Sequence, residues 1–358
     1  MLAPFVAGAR EHTEGPFSDV STQIGASAIA VSPVSVPAYG YLRSIVLLVD
    51  ATGGADSGET VAVTSDAPWN ALQNVQLTDV NGAPIVGPFG SGYALYLINK
   101  YGGYQWSSDP NLSPNFTTPV VGASASGNFG FLLRIPVEIV SRDALGSLPN
   151  QNAASTYKIA YTVAASSVIY STPPDTLPVL RVRMYLEAWS QPNATDARGM
   201  PQAQTPPALG TTQYWSEIQP AAAPGQHTVQ LTRVGNLIRK VIFVSRDSAG
   251  DRVADGFPDP FTLQWDTRII VQESQALLLE TMFNQFGYGL GESTLDTGVY
   301  VWDFAHDLTG KSGEELRNQY LPTTQATRLE VVGSFMGDSA TLEIITNDVA
   351  PTADITVS

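Results

Sequence analysis

Apolar and polar positions alternate in short runs along most of this chain, and the runs are cut every ten or so residues by glycine, proline or asparagine. This rhythm predicts short β-strands joined by turns. The clearest strand is Val179–Trp189. There Val182, Met184, Leu186 and Ala188 alternate with Arg181, Arg183, Tyr185 and Glu187, so one face is buried and the other polar. Residues 42–50 form a continuous apolar run, which predicts a strand covered on both faces. Over 72–80, Val75 and Leu77 oppose Asn74 and Gln76, and the segment ends at the hairpin signal Asn81-Gly82. Further strands are expected over 129–140, 157–170, 227–232, 237–245, 261–271, 298–304, 328–335 and 341–346. Two segments leave the period of two. Tyr93, Leu97 and Tyr101 recur every fourth residue and predict a short helix stopped by Gly102-Gly103. Leu278, Met282 and Phe286 predict a second helix over about 274–286, stopped by Gly287.

The layout occurs twice. Leu42-Arg43-Ser44-Ile45-Val46-Leu47-Leu48 returns as Ile238-Arg239-Lys240-Val241-Ile242-Phe243-Val244. Pro68-Trp69-Asn70-Ala71-Leu72-Gln73 is echoed by Pro260-Phe261-Thr262-Leu263-Gln264, and Asn99-Lys100-Tyr101-Gly102 by Asn284-Gln285-Phe286-Gly287. Leu148-Pro149-Asn150 returns as Leu321-Pro322-Thr323. The order is kept while the spacing between copies shrinks, so the second copy has shorter loops. A repeat of this length is a duplicated domain and not a solenoid period. The expected organisation is an N-terminal arm over 1–36, a first domain over 37–190, a linker over 191–210, a second domain over 211–350 and a short tail over 351–358. The arm is rich in Ala, Gly, Ser, Pro and Thr; the linker holds Pro192, Pro201, Pro206 and Pro207.

At 358 residues, each half is long enough for its own core. Charged residues make up only 14%, which suggests surfaces that spend much of their area against neighbours. The net charge of −15, with 18 Lys and Arg and no basic run, argues against direct nucleic-acid binding by phosphate neutralisation. Arg181 with Arg183, and Arg239-Lys240, read as solvated or interface positions. Without cysteine there are no disulfides or thiolate metal sites. No basic stretch followed by an apolar one opens the chain, so no signal peptide is expected, and the aliphatic run 45–49 is far too short to span a bilayer.

Candidate chemistry is sparse. His12, His227 and His306 are far apart and none has metal-ligand spacing. His306 lies between Asp303 and Asp307, a pairing that could serve a general base, although a strand-end hydrogen bond is the simpler reading. Asp247, Asp251 and Asp255 lie in one Gly-containing loop, and Asp50, Asp56 and Glu59 in the equivalent loop of the first copy. Such oxygen donors suit Ca²⁺, but the spacing is not that of an EF-hand and Arg252 opposes a cation, so solvated acidic loops are the preferred reading. Asp266, Glu273 and Asp303 could supply a carboxylate pair for glycoside hydrolysis if folding brought them together. Tyr101, Tyr104 and Trp106 could stack on sugars; because Tyr101 is matched by Phe286, a core role is preferred. The sequons at Asn111, Asn115 and Asn193 carry little weight without a secretion signal. There is no nucleophile elbow, phosphate loop or dinucleotide fingerprint. No catalytic residue and no cofactor is assigned.

Tandem β-domains with a helix inserted between strands, no cysteine and no catalytic motif resemble the double jelly-roll major capsid proteins of tailless icosahedral viruses, the lineage of tectiviruses, corticoviruses and adenovirus hexon. The resemblance rests on Phe131-Leu132-Leu133-Arg134-Ile135-Pro136-Val137-Glu138-Ile139, Leu148-Pro149-Asn150 and Tyr185-Leu186-Glu187-Ala188-Trp189. In the second half it rests on the stretches from Leu295 to Phe304 and from Leu321 to Glu330. It covers about residues 37–350. It implies an all-β chain with a few short helices, folded as two tandem eight-stranded jelly-roll β-sandwiches. It further implies a non-enzymatic structural protein of the virion, made in the host cytoplasm, whose pseudo-hexagonal homotrimers tile an icosahedral shell. The implied partners are lattice neighbours, minor capsid and vertex proteins, and an internal membrane in some members. The arm carries Glu11, Glu14 and Asp19 beside Arg10, so it departs from a basic genome-binding tail. Two other readings stay open: a two-jelly-roll glycan-processing enzyme like peptide-N-glycanases, and a lectin-like receptor-binding spike.

Overall fold

The computed structural model describes residues 2–104, 109–286, 295–305 and 319–350. The chain divides into two compact units, Met1–Gln213 and Tyr214–Ser358. The principal strands of the first unit are β1 (Glu11–Gln23), β2 (Ile29–Ser35), β3 (Tyr41–Thr52), β4 (Leu72–Thr78), β5 (Pro84–Phe89), β6 (Phe129–Pro136), β7 (Lys158–Val163) and β8 (Val179–Trp189). They form two sheets in the orders β1-β8-β3-β6 and β2-β7-β4-β5. The second set is β9 (Thr212–Ile218), β10 (Gly225–Gln230), β11 (Leu237–Arg246), β12 (Phe261–Trp265), β13 (Arg268–Glu273), β14 (Val299–Asp303), β15 (Leu329–Phe335) and β16 (Thr341–Ala350). Their orders are β9-β16-β11-β14 and β10-β15-β12-β13. Adding eight to each strand number of the first set gives the second. Both are eight-stranded jelly rolls with one connectivity. Each also carries one long helix, α1 (Gly92–Gly102) and α2 (Gln275–Phe286), in the same connection between fifth-position and sixth-position strands.

Two of the echoes read from the sequence fall on equivalent positions. The apolar runs are the central strands β3 and β11. Leu148 and Pro149 pair with Leu42 and Tyr41 at the start of β3; Leu321 and Pro322 pair with Ile238 and Leu237 at the start of β11. In the first unit Ile45, Leu47, Val49, Leu133, Met184 and Leu186 from one sheet and Val75, Leu77, Ile159 and Val163 from the other are all buried, so the alternation of each strand supplies one side of a core. Val229, Leu263, Leu329, Val331, Ile242 and Ile344 are buried in the second unit.

Four expectations are corrected. Residues 1–36 are not a free arm. Phe5 is buried against Tyr41, Ala144 and Trp189; Ala3 donates its N–H to Pro201 O at 3.2 Å; and residues 11–35 supply β1 and β2. The alternation there is weak because β1 is a sheet edge, largely exposed on both faces and held by backbone pairing to β8. The single strand expected over 261–271 is a hairpin, β12 and β13, turned at Asp266 with φ 54°. The expected strand over 157–170 ends at Val163, ahead of the short helix Ser166–Ile169. Arg239 and Lys240 are not solvated but fully buried. A buried cation requires a partner. Lys240 Nζ lies 2.6 Å from Asp303 Oδ2, its register neighbour on β14, and Arg239 Nη1 donates to Asn347 Oδ1 at 3.2 Å. The tail 351–358 lies outside the described residues.

Candidate functional site

The oxygen-rich loop is closed upon itself. Asp247 Oδ1 accepts the N–H groups of Ala249 and Asp251 at 2.8 and 2.9 Å, and Arg246 donates to Gly250 O at 2.9 Å. These are turn contacts, and the side chain of Asp255 lies outside the described residues. In the equivalent loop Asp50 pairs with Arg183, and Asp56 accepts the N–H of Gly58 at 3.1 Å. Among the described residues, no group of three or more His, Asp or Glu could hold a metal ion.

The histidines stand apart. His12 stacks on Tyr39 with ring centroids 4.0 Å apart and lies 3.4 Å from Glu14; His227 meets Phe335 edge-on. His306, Asp307 and Trp106 lie outside the described residues. Of the three carboxylates considered for hydrolysis, Asp266 caps a turn. It accepts from the Thr327 hydroxyl at 2.6 Å and from the N–H groups of Thr327 and Arg328 at 3.1 and 2.9 Å, and these bonds hold its carboxyl below the usual range. Glu273 and Asp303 line one cleft of the second unit. Asp303 is ion-paired to Lys240, while burial pushes the Glu273 carboxyl up. Tyr101 is fully buried, in agreement with a core role.

The densest charge in the first unit lies across the sheet β1-β8-β3-β6. Arg181 Nε and Nη2 reach Asp19 at 2.7 and 2.5 Å, and Arg183 pairs with Asp50. Arg134 Nη2 reaches Glu187 at 2.9 Å, and Arg43 Nε reaches Glu138 at 2.9 Å and Nη1 reaches Glu11 at 3.1 Å. The hydrogen bonds from Arg181 lower the Asp19 carboxyl; burial raises Glu138 against the opposing pull of Arg43 and the Trp189 indole N–H. Each of these cations has its counter-ion in the same sheet. The face therefore staples four strands together and presents neither a basic phosphate footprint nor an acid–base couple.

The helices are seated on sheet edges. In the first unit the Asn99 side chain acts as a missing strand. Its Nδ2 donates to Arg134 O at 2.7 Å and its Oδ1 accepts the Arg134 N–H at 2.7 Å, covering the open edge of β6. In the second unit the N–H of Val301 on the edge strand β14 meets Met282 Sδ at 3.2 Å. Helix α2 buries Leu278, Met282 and Phe286, and leaves Leu277 and Phe283 exposed at 55% and 46%. From the sequence Phe283 reads only as a neighbour of the apolar stripe, and Leu277 does not stand out. The signal was present in Leu277-Leu278-Leu279, where one leucine more than the stripe needs must point outward.

No protein-family model and no curated protein sequence matches the chain. Solved structures do. The STIV major capsid protein aligns over 96% of this chain and 97% of its own, with a TM-score of 0.64 and 12% identity. The same comparison with the atomic structure of Sulfolobus Turreted Icosahedral Virus gives 95% and 91%, a TM-score of 0.62 and 14% identity. The major capsid protein P2 from Bacteriophage PM2 aligns over 94% and 98%, with a TM-score of 0.54 and 12% identity. The chain shares with these proteins a fold that runs through both of its jelly rolls.

Proposed function

We propose that this chain is a viral major capsid protein that self-assembles as pseudo-hexagonal trimers tiling an icosahedral shell. One observation carries the proposal: two jelly rolls of identical connectivity, each with a helix in the same connection, matched along nearly the whole length of two major capsid proteins. Three copies would bring six like domains into a ring. A threefold object could then fill a place with six similar neighbours, which is a use for duplication that a catalytic cleft does not require. The stapled charges, the committed acidic loops and the exposed apolar side chains of α2 favour association over turnover. The chain would act in the virion after synthesis in the host cytoplasm. Its partners would be its own copies, minor capsid and vertex proteins, and an internal membrane where the virus has one. Sedimentation of the purified protein across ionic strength tests the proposal. Trimers and larger closed particles are expected; a monomer at every concentration would overturn it. Summed over its several neighbours, each chain should bury well over the ~1,600 Å² of one standard interface.

A further inference from the structure

The second unit contains a cleft that the shell role does not use. Its volume is about 410 Å³, within the roughly 300–1,000 Å³ span of ligand clefts. It opens between α2, β13 and β14. Leu278, Val301, Trp302 and Phe304 supply an apolar wall; Glu273, Thr281, Asn284, Gln285 and Asp303 supply the polar positions.

The two carboxylates at these positions are unequally committed. Gln285 Nε2 donates to Asp303 Oδ2 at 3.4 Å, Asn284 Nδ2 to Glu280 at 3.2 Å, and the Thr281 hydroxyl to Leu277 O at 2.9 Å. Lys240 neutralises Asp303, whose other oxygen accepts the N–H of Ala305 at 2.8 Å. Left over as acceptors are the amide oxygens of Asn284 and Gln285 and both oxygens of Glu273; left over as donors are the second N–H of each amide and the Trp302 indole N–H. Glu273 is half-buried and makes no ion pair or side-chain hydrogen bond among the described residues, and burial raises its carboxyl. Among the described residues that line the cleft, Asp303 has a cation beside it and Glu273 has none.

We infer that this cleft binds a donor-rich organic cation on an apolar stem, an alkylguanidinium or alkylammonium group. The head would pair with Glu273 and the free amide oxygens, and the stem would lie on Trp302 and Phe304. Two sources share this chemistry: a soluble polyamine, and an Arg or Lys side chain of another polypeptide. The inference stands whether or not the chain builds a shell.

Calorimetric titration of the full chain tests it, with N-butylguanidinium as the first probe and uncharged N-butylurea as its control. Saturable binding of the cation is expected, with N-butylurea weaker by about tenfold or more. Glu273→Gln should lose the preference, and Asn284→Asp, which adds a carboxylate at the rim, should tighten the cation severalfold. Unchanged thermal midpoints in both variants exclude misfolding as the cause. Tighter binding of spermidine than of N-acetylargininamide would assign a soluble amine, and the reverse a side chain. Equal binding of the cation and N-butylurea, undiminished affinity in Glu273→Gln, or no binding of any cation would overturn the inference.

Discussion

Helices α1 and α2 occupy the equivalent connection of the two jelly rolls, yet they are buried differently. Every residue of α1 is buried, including Asn99 and Lys100; α2 buries three residues in a single stripe and leaves two large apolar side chains in solvent. The anchors differ accordingly. Asn99 satisfies both backbone groups of Arg134 on the edge of β6, while Met282 offers one soft acceptor to Val301 on the edge of β14. Lys100 is held within 3.7 Å of Asp109 and 3.3 Å of the Tyr96 hydroxyl. A duplicated connection has thus been put to two uses. In the first unit it completes a core, and in the second it leaves a cleft and an apolar surface free for other contacts.

The contrast can be broken most severely from the N-terminus. Removing residues 1–30 takes β1 and the start of β2 from the first unit and no strand from the second. Amide exchange read by mass spectrometry on the truncated chain should show lost protection across β3 and β8, with β11 and β16 still protected. Wild-type protection in β8 would show that β1 is dispensable. Next in size, Asn99→Leu would leave the Arg134 N–H and C=O unpaired at a covered edge and should cost about 2–4 kcal/mol in chemical denaturation. Met282→Ala should cost a comparable ~2–4 kcal/mol, but through a cavity and not through orphaned polar groups. A polar Met282→Gln should therefore fail to rescue it, whereas Asn99→Asp should rescue part of the Asn99 loss.

A smaller effect separates two glycines. Gly298 has φ +73° and a Cβ there would sit 2.8 Å from Val253 O, whereas Gly130 has no positive φ and its nearest contact would be at 3.4 Å. Gly298→Ala should lower stability by about 1–3 kcal/mol and Gly130→Ala by clearly less. Equal thermal midpoints would remove Gly298 from the list of required positions. The two units should also differ in acid. Asp266 in the second has its folded carboxyl below the ordinary value of 3.8, so its contribution is present above that pH and is lost as pH falls below it. Glu138 in the first is raised above 4.5; the folded state binds the proton more tightly, and its contribution declines as pH rises through 4.5 toward the folded value. Stability profiles of Asp266→Asn and Glu138→Gln between pH 2 and 7 should depart from wild type with opposite slopes. The least effect on the fold is expected for Phe283→Ser, within about 0.5 kcal/mol, although it should weaken self-association. Loss of folding in that variant would mean that Phe283 is not a surface position.

Much of this was legible in the sequence. The alternation of Val179–Trp189 gave its buried face, spacing of four gave both helices, and the returning apolar run and Leu-Pro pair marked equivalent strands. What stayed hidden was held by contacts rather than pattern. Strand β1 is polar because it lies on an edge, so no period marks it. Arg239 and Lys240 look solvated until β14 and β16 bring Asp303 and Asn347 beside them. Asp266 reads as an interior strand residue until its carboxylate is seen to cap Thr327 and Arg328. The cleft was half visible: Glu273 and Asp303 were suspected, but only the fold places them together and gives Asp303 its cation. For α1 the clue was present and unused, since a helix apolar all round, with only Asn99 and Lys100 breaking it, is a helix made for burial.

The most direct test is the rotational power spectrum of face-on electron-microscope averages of the assembled oligomer. Two like jelly rolls per chain in a trimer predict a sixfold harmonic stronger than the threefold one. A threefold signal with no sixfold component, or oligomers that are not multiples of three, would contradict the idea that duplication serves to fill a six-neighbour place.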